Sequence, residues 1–185
     1  MIKLIDLIKE SASVPYEYGC VMLYFNFPLI NKIHDIINPE DVYNNENDPI
    51  FGLENEPHCT LLYGLHKEVT LEDVTNVINN AVFGDCKLYN ASLFENEKYD
   101  VLKFDVGYPV KGGAFLHKCN KELKKFPYTS NFPDYHPHLT IAYLNPGSGK
   151  KYTELLKNQE FILTPQYVVY SQPSGDKNKI KINLR

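Results

Sequence analysis

A duplicated motif constrains this chain more than any other feature of its sequence. Residues 57–63 read PHCTLLY and residues 137–143 read PHLTIAY, so the pattern P-H-x-T-[LI]-x-Y occurs twice, 80 residues apart. Such a match is hard to obtain by chance, and the predicted elements around each copy follow in the same order. We therefore predict two copies of one β/α unit within the 185 residues.

Hydrophobic spacing predicts the elements of both units. Strands are expected at 19–27, 57–63, 86–95, 99–106, 137–144 and 161–171, with a possible edge strand at 179–184. Helices are expected at 29–37, 71–83, 112–125 and 150–158. The second of these helices opens with a capping-box pattern, with Thr70 as N-cap and Asp73 three residues later.

These elements predict an α+β fold, with two β/α lobes related by a pseudo-twofold axis and mostly antiparallel sheets around a central cleft. The lobes are expected over about 18–95 and 99–171, within a single domain 1–185 that begins with a short amphipathic helix, 1–12. The Asn- and Asp-rich segment 38–49 has no counterpart of similar length in the second unit. Its composition favours a mobile loop acting as a lid.

Composition and charge exclude several classes of protein. The net charge of -4 argues against a general duplex-binding protein, which needs a basic face. No run of 18 apolar residues occurs, so no spanning helix is predicted. Asp6, Lys9 and Glu10 stand where a signal peptide needs its apolar region, which favours a cytoplasmic protein. The four cysteines form no CxxC pair and are predicted to be buried free thiols: Cys20, Cys59, Cys86 and Cys119.

The two motifs place the same pair of side chains on two strands. Residues i and i+2 of a strand share a face, so His58 lies with Thr60, and His138 with Thr140. If the units pack about a pseudo-twofold axis, both pairs face one cleft. Two imidazoles on opposite sides of a phosphate allow one to act as base and the other as acid, while threonine hydroxyls donate to the phosphate oxygens. This chemistry requires neither a metal nor another cofactor.

The alternative without catalysis is that each motif histidine is an ordinary packed residue. One isolated HxT would be weak evidence, but packing alone seldom needs the same buried polar pair twice. A three-histidine zinc site of His58, His136 and His138 is a rival hypothesis. It is disfavoured because Glu56 stands at the matched place in the first unit, and because the threonines would have no role. The remaining histidines are expected at the surface: His34, His66 and His117.

The paired motifs, their spacing and the duplicated unit resemble the 2H phosphoesterase superfamily, the group of the 2′-5′ RNA ligases and cyclic phosphodiesterases. The resemblance runs from about Tyr18 to Ser171. Within that group, the runs YGCVMLYF at 18–25 and FGLENEPHCTLLYGL at 51–65 look like those of bacteriophage anti-CBASS nucleases. Those proteins degrade the cyclic di- and trinucleotide messengers of bacterial anti-phage systems.

The resemblance implies a hydrolase with His58, Thr60, His138 and Thr140 as its catalytic set. One histidine would deprotonate a ribose 2′-hydroxyl, which attacks the neighbouring 3′-5′ phosphodiester, and the other would protonate the departing 5′-oxygen. Which histidine is the base stays open. The implied partner is a cyclic oligonucleotide, with no duplex, no membrane and no obligate protein partner. If the chain is phage-encoded, it would act in the cytoplasm of the host bacterium to evade its defence.

Five further residues are predicted to bind substrate. Tyr18 would stack on a nucleobase at the cleft mouth, as the resemblance suggests, although packing is an equal alternative. Phe94 and Tyr99 flank the turn at 95–98 and would form a second stacking wall, although strand aromatics are usually core. Lys103 would hold a phosphate, or else be a solvated lysine. Ser171 would line the cleft at the end of its strand.

Two other functions remain open from the sequence. The first is a related enzyme acting on RNA ends, such as a 2′,3′-cyclic phosphodiesterase or a 2′-5′ ligase, against which the acidic charge counts mildly. The second is a non-catalytic module that only sequesters a cyclic nucleotide. Paired acid–base groups count against sequestration, and recovery of intact ligand after denaturation would identify it.

Overall fold

Ten strands and four α-helices are present in the computed structural model among the residues it describes, 16–44, 51–109, 114–130, 132 and 134–185. The predicted helix 1–12 lies outside them. The strands are β1 Gly19–Phe25, β2 His58–Leu65, β3 Val82–Phe83, β4 Cys86–Glu95, β5 Asp100–Gly107, β6 His138–Leu144, β7 Phe161–Leu163, β8 Pro165–Ser171, β9 Lys177–Lys181 and β10 Asn183–Leu184. The helices are α1 Ile30–His34, α2 Leu71–Asn79, α3 Phe115–Leu123 and α4 Lys150–Leu156. A short 3₁₀ turn, Pro39–Asp41, follows α1.

Two four-stranded sheets form the body of the protein. The first sheet has the order β2-β1-β8-β9 and the second the order β6-β5-β4-β7. All neighbours within them are antiparallel, while β3 and β10 form a separate parallel pair. The predicted α+β class with mostly antiparallel sheets is confirmed.

The two sheets exchange strands between the halves of the chain. Strand β4, from the first half, lies in the second sheet, and β8, from the second half, lies in the first. The predicted lobe limits, 18–95 and 99–171, therefore do not coincide with sheet membership. The predicted strand 161–171 is in fact two strands, because the chain passes from one sheet to the other at Thr164. Pro165, which lacks an N–H for a central ladder, marks this break.

The duplication extends to a pair of matched bulges. Met22 lies opposite Thr60 and Lys103 opposite Thr140, and in each pairing the register shifts by one residue immediately before. The shift leaves the carbonyls of Leu61 and Ile141 outside the regular ladder. A buried side chain from a neighbouring helix donates to each of them: Asn120 Nδ2 to Leu61 O at 2.7 Å, and His34 Nε2 to Ile141 O at 3.1 Å. His34 is thus structural and buried, and its predicted surface position is wrong.

Helix α2 begins as its sequence predicts but ends early. Thr70 accepts from the backbone of Asp73, and the Asp73 carboxylate accepts from the backbone of Thr70, so the predicted capping box is confirmed. The helix ends at Asn79 rather than near Phe83, because Val82–Phe83 pairs as β3 with Asn183–Leu184. Asparagine favours a helix end over a helix interior, and the tertiary pairing takes the residues beyond it.

The free edge of β6 is covered by the chain before β2. Tyr43 donates to Tyr143 O at 2.9 Å, and Tyr143 donates to Gly52 O at 2.8 Å. Leu53 makes an isolated bridge with Ala142. The described part of the predicted lid, 38–44, is therefore hydrogen-bonded to a strand, while 45–49 lies outside the described residues.

The cysteines lie inside the apolar interior as free, buried thiols, as predicted. Burial raises the pKa of Cys20, Cys59 and Cys119 to about 12, so these three remain neutral thiols at physiological pH. Over the part of the chain that the structure describes, no helix is both long and apolar enough to cross a bilayer.

Candidate active site

Strands β2 and β6 bring the two HxT motifs to a common place. Leu53, just before the first motif, makes an isolated bridge with Ala142, and Glu54 N donates to Ile141 O at 2.9 Å. His58 lies close enough to lower the pKa of His138 by repulsion between the two imidazolium charges. The packing of the two sheets therefore places the two HxT strands next to each other, and the action of both imidazoles on one phosphate stays a prediction.

Each imidazole is anchored in the same way. Nδ1 of His58 lies 2.8 Å from Glu56 O, and Nδ1 of His138 lies 2.9 Å from His136 O. A carbonyl oxygen only accepts, so Nδ1 carries the proton in both rings. In the neutral ring Nε2 is then the basic nitrogen, which fixes the tautomer that a proton-transfer catalyst requires.

Glu54 and Tyr24 are the acidic and aromatic neighbours of His58. Glu54 Oε2 lies 3.9 Å from Nδ1 of His58. The Tyr24 ring lies 5.4 Å from the His58 ring between centroids, at an interplanar angle of 31°. Both a carboxylate and an aromatic face attract an imidazolium.

Tyr24 belongs to a stack that crosses the first sheet. Its ring lies 5.2 Å from that of Tyr167, at 14°, and Lys179 Nζ lies 3.5 Å from the centroid of Tyr167. The stack therefore runs over neighbouring strands from β9 through β8 and β1 to His58 on β2. Such contacts across strands hold each ring in place, so they fix the orientation of His58.

The surroundings of His138 disfavour a positive charge. Burial, with additional repulsion from Lys103 and His58, lowers the pKa of His138 to about 4. Its ring meets that of Phe94 edge-on, with the centroids 4.9 Å apart. At neutral pH His138 is a neutral imidazole with a free Nε2 lone pair, which is the form of a general base.

Lys103 is a buried cation beside His138 rather than a solvated lysine. It is only 7% exposed, and Nζ donates to Ser92 Oγ at 2.8 Å and to Asp105 Oδ1 at 2.5 Å. The same Nζ lies 4.7 Å from the Phe94 ring centroid. Asn90 donates to the other oxygen of Asp105. This network holds the ammonium, paired with the Asp105 carboxylate, on the strand next to Thr140.

The two threonines lie on the strands that carry the histidines. The Thr60 carbonyl accepts from Tyr135 Oη at 3.0 Å. Thr140 is 6% exposed and lies opposite Lys103 in the sheet. Both threonines thus lie two residues after their histidines, at matched register positions of the two sheets.

Three of the predicted substrate-binding residues lie apart from the histidines. Tyr18 precedes β1 and contacts His66, at the end of the strand pair opposite to His58. Tyr99 is 8% exposed and packs in a separate aromatic cluster with Phe51 and Tyr143, so its faces are covered. Ser171 is fully buried opposite Cys20. By contrast, Phe94 and Lys103 contact or adjoin His138.

Sequence reasoning missed three residues beside the imidazoles. Tyr24 and Asp105 stand opposite the motif histidines, and Glu54 precedes the first motif. Polar residues at 103 and 105 share one strand face, a signal that was available. Tyr24 gave no signal, because an aromatic residue in a strand usually belongs to the core.

No group of three or more histidine, cysteine or acidic side chains is arranged to hold a metal ion within the described ranges. His136 contributes its backbone carbonyl to His138, and its side chain is exposed. We therefore assign no role to a three-histidine site.

Comparison with known proteins reveals the fold. No protein-family model matches the sequence, and no curated protein matches it significantly. Among solved structures, Kluyveromyces marxianus Usb1 matches with a TM-score of 0.58 at 9% identity, covering 92% of this chain and all of that one. This chain has the fold of Usb1. The structure of Usb1 with uridine monophosphate matches with the same TM-score at 11% identity. Escherichia coli LigT with 3′-AMP also matches, with a TM-score of 0.44 and 14% identity, over 90% of this chain and 97% of that one.

Proposed function

We propose that this chain is a metal-independent phosphodiesterase of the 2H phosphoesterase superfamily. The observation that carries the proposal is the matched anchoring of two imidazoles, each fixed through Nδ1 by a carbonyl two residues upstream. The buried ammonium of Lys103 and two threonine hydroxyls accompany them. The Usb1 fold, solved with a bound nucleotide, supports this class of substrate.

His138 is assigned as the base because its pKa is lowered, and His58 is then assigned as the acid. Neutral His138 takes the proton from a ribose 2′-hydroxyl through Nε2. The 2′-oxygen attacks phosphorus, forming a 2′,3′-cyclic phosphate as the bond from phosphorus to the 5′-oxygen breaks. Protonated His58, beside Glu54, gives its Nε2 proton to that 5′-oxygen. Water then opens the cyclic phosphate with the roles of the two histidines reversed.

As substrates we propose the cyclic di- and trinucleotide messengers of bacterial anti-phage signalling. The resemblance of the runs 18–25 and 51–65 to anti-CBASS nucleases supports this choice. The net charge of -4 also suits a small anionic ligand held at one local cation better than a long nucleic acid. Ring opening would end the signal and so counteract host defence.

The shared fold with Usb1 and its uridine monophosphate complex favours a second candidate, an enzyme acting on RNA ends. The same two-histidine chemistry would then open a 2′,3′-cyclic phosphate terminus. Incubation with RNA bearing a 2′,3′-cyclic phosphate end distinguishes an enzyme for RNA ends from one for cyclic oligonucleotides.

The direct test is incubation of the purified chain with 3′,3′-cGAMP and cyclic tri-adenylate in the presence of EDTA, followed by denaturation and mass spectrometry. We expect linear products with 2′,3′-cyclic or monophosphate ends. If both rings are recovered intact while 2′,3′-cyclic-ended RNA is processed, the substrate proposal is wrong and the RNA-end function stands. Intact recovery of every substrate would contradict the phosphodiesterase itself.

The role assignment predicts the acidic limb of the pH–rate profile. A base works in its neutral form, so its contribution is lost as pH falls through its pKa. With the pKa of His138 at about 4, nearly all of the base is still neutral at pH 5.5. An ordinary histidine would be only about one tenth neutral there. We therefore expect kcat/KM to show no tenfold fall attributable to the base between pH 7 and 5.5.

Lys103→Gln is the matched variant for this profile. Removing the ammonium removes a repulsion that lowers the pKa of His138, so the acidic limb should move to higher pH even if the absolute rate falls. A wild-type rate that already falls steeply below pH 7, with no shift in the variant, would contradict His138 as the base.

A further inference from the structure

The residue that lies opposite the motif histidine differs between the two sheets. In the first sheet Tyr24 lies opposite both His58 and Tyr167. In the second sheet the same place, opposite His138 and Tyr89, is held by Asp105. The Tyr24 ring fills its place by stacking on Tyr167, whereas an aspartate side chain lacks a ring and leaves that volume open.

A depression lies beside Asp105. It has a volume of about 520 Å³ and is lined by residues that include Tyr89, Asp105, His136 and Pro137, the last two directly preceding His138. This volume falls within the range of small-molecule sites and accommodates a nucleobase with part of its ribose. Tyr89 is 40% exposed, unlike a core aromatic.

The lining contains polar side chains that can form hydrogen bonds with the edge of a nucleobase. Asp105 supplies a carboxylate acceptor. Tyr108 Oη accepts from Leu116 N and lies 3.2 Å from Nδ1 of His117, so a hydroxyl group and an imidazole also line the depression. The Asp105 carboxylate repels a phosphate from the depression, and Lys103 attracts it towards His138. The uncharged part of a nucleotide therefore fits the depression better than its phosphate does.

We propose that this depression is a nucleobase subsite, in which the base stacks on Tyr89 as Tyr24 stacks on Tyr167. This inference rests on the proposed function, because it assumes that the phosphate lies between the two histidines. The nucleotide on the His138 side would place its base in this depression. Tyr18, Phe94 and Tyr99, which the sequence predicted to stack on bases, do not line it.

Binding of 3′-AMP and of inorganic phosphate, measured by calorimetry, tests the subsite. We expect Tyr89→Leu to reduce the affinity for 3′-AMP by roughly five- to a hundredfold, which corresponds to the loss of one base–aromatic stack. The affinity for phosphate should be unchanged. Tyr89→Phe keeps the ring and should bind within about twofold of wild type. Tyr128→Leu, which removes another exposed tyrosine outside the depression, should have no effect.

The outcomes separate this inference from the proposed function. If the wild type opens a substrate but Tyr89→Leu binds 3′-AMP as well as wild type does, only the subsite is wrong. An equal loss of 3′-AMP and phosphate affinity would likewise overturn it, because the variant would then be disturbing the phosphate site. If the wild type cleaves nothing and binds neither probe, both proposals fail.

Discussion

Replacing either His58 or His138 by alanine is expected to reduce turnover of 3′,3′-cGAMP by about 10²- to 10⁴-fold, the contribution of one general acid or base. The loss should be similar for both variants. Both proton transfers accompany the same step, in which the bond from phosphorus to the 2′-oxygen forms and the bond to the 5′-oxygen breaks. The double variant should be little slower than either single one, since residues acting as a unit are not additive. Initial rates by mass spectrometry, with folding checked by circular dichroism, measure this.

His66→Ala is the matched control. It removes a more exposed imidazole of the same lobe, bonded to Thr129 rather than to any HxT residue. Turnover should be unchanged. Should the wild type and both active-site variants cleave at equal rates, the two-histidine mechanism would be refuted. A loss in only one variant would leave a single catalytic histidine and refute the paired roles.

The all-2′-deoxy analogue of 3′,3′-cGAMP is expected to give no linear product. In the proposed mechanism the nucleophile is the ribose 2′-oxygen, so the deoxy compound lacks the attacking atom rather than a binding contact. The expected effect is a complete loss at enzyme concentrations that convert the ribo compound within minutes. The two compounds are compared by the same mass-spectrometric assay.

Competition distinguishes failure to react from failure to bind. The deoxy analogue keeps both phosphates and both bases, so it should inhibit cleavage of the ribo compound. Cleavage of the analogue at a comparable rate would mean that water attacks phosphorus directly. His138 would then activate water, and the 2′,3′-cyclic intermediate would be absent.

The duplicated motif made the site predictable in outline. The i, i+2 spacing of His58 and Thr60, and of His138 and Thr140, is a local property of a strand, and the repeat indicated that the two strands are equivalent. The matched bulges beyond the threonines were not foreseeable, because a bulge depends on the register of the partner strand. The buried donors that satisfy these bulges, His34 and Asn120, come from other elements.

The sequence by itself determined the element types, the capping box of α2 and the two HxT strands, because each depends on residues close together in the chain. Only the tertiary structure decided that β4 and β8 change sheets, since strand partners are chosen by pairing between distant segments. That exchange sets Tyr167 beside Tyr24 and Tyr89 beside Asp105. The lowered pKa of His138 also depends on the tertiary structure, because burial of the ring and the nearby charges of Lys103 and His58 cause it rather than the motif that carries the ring.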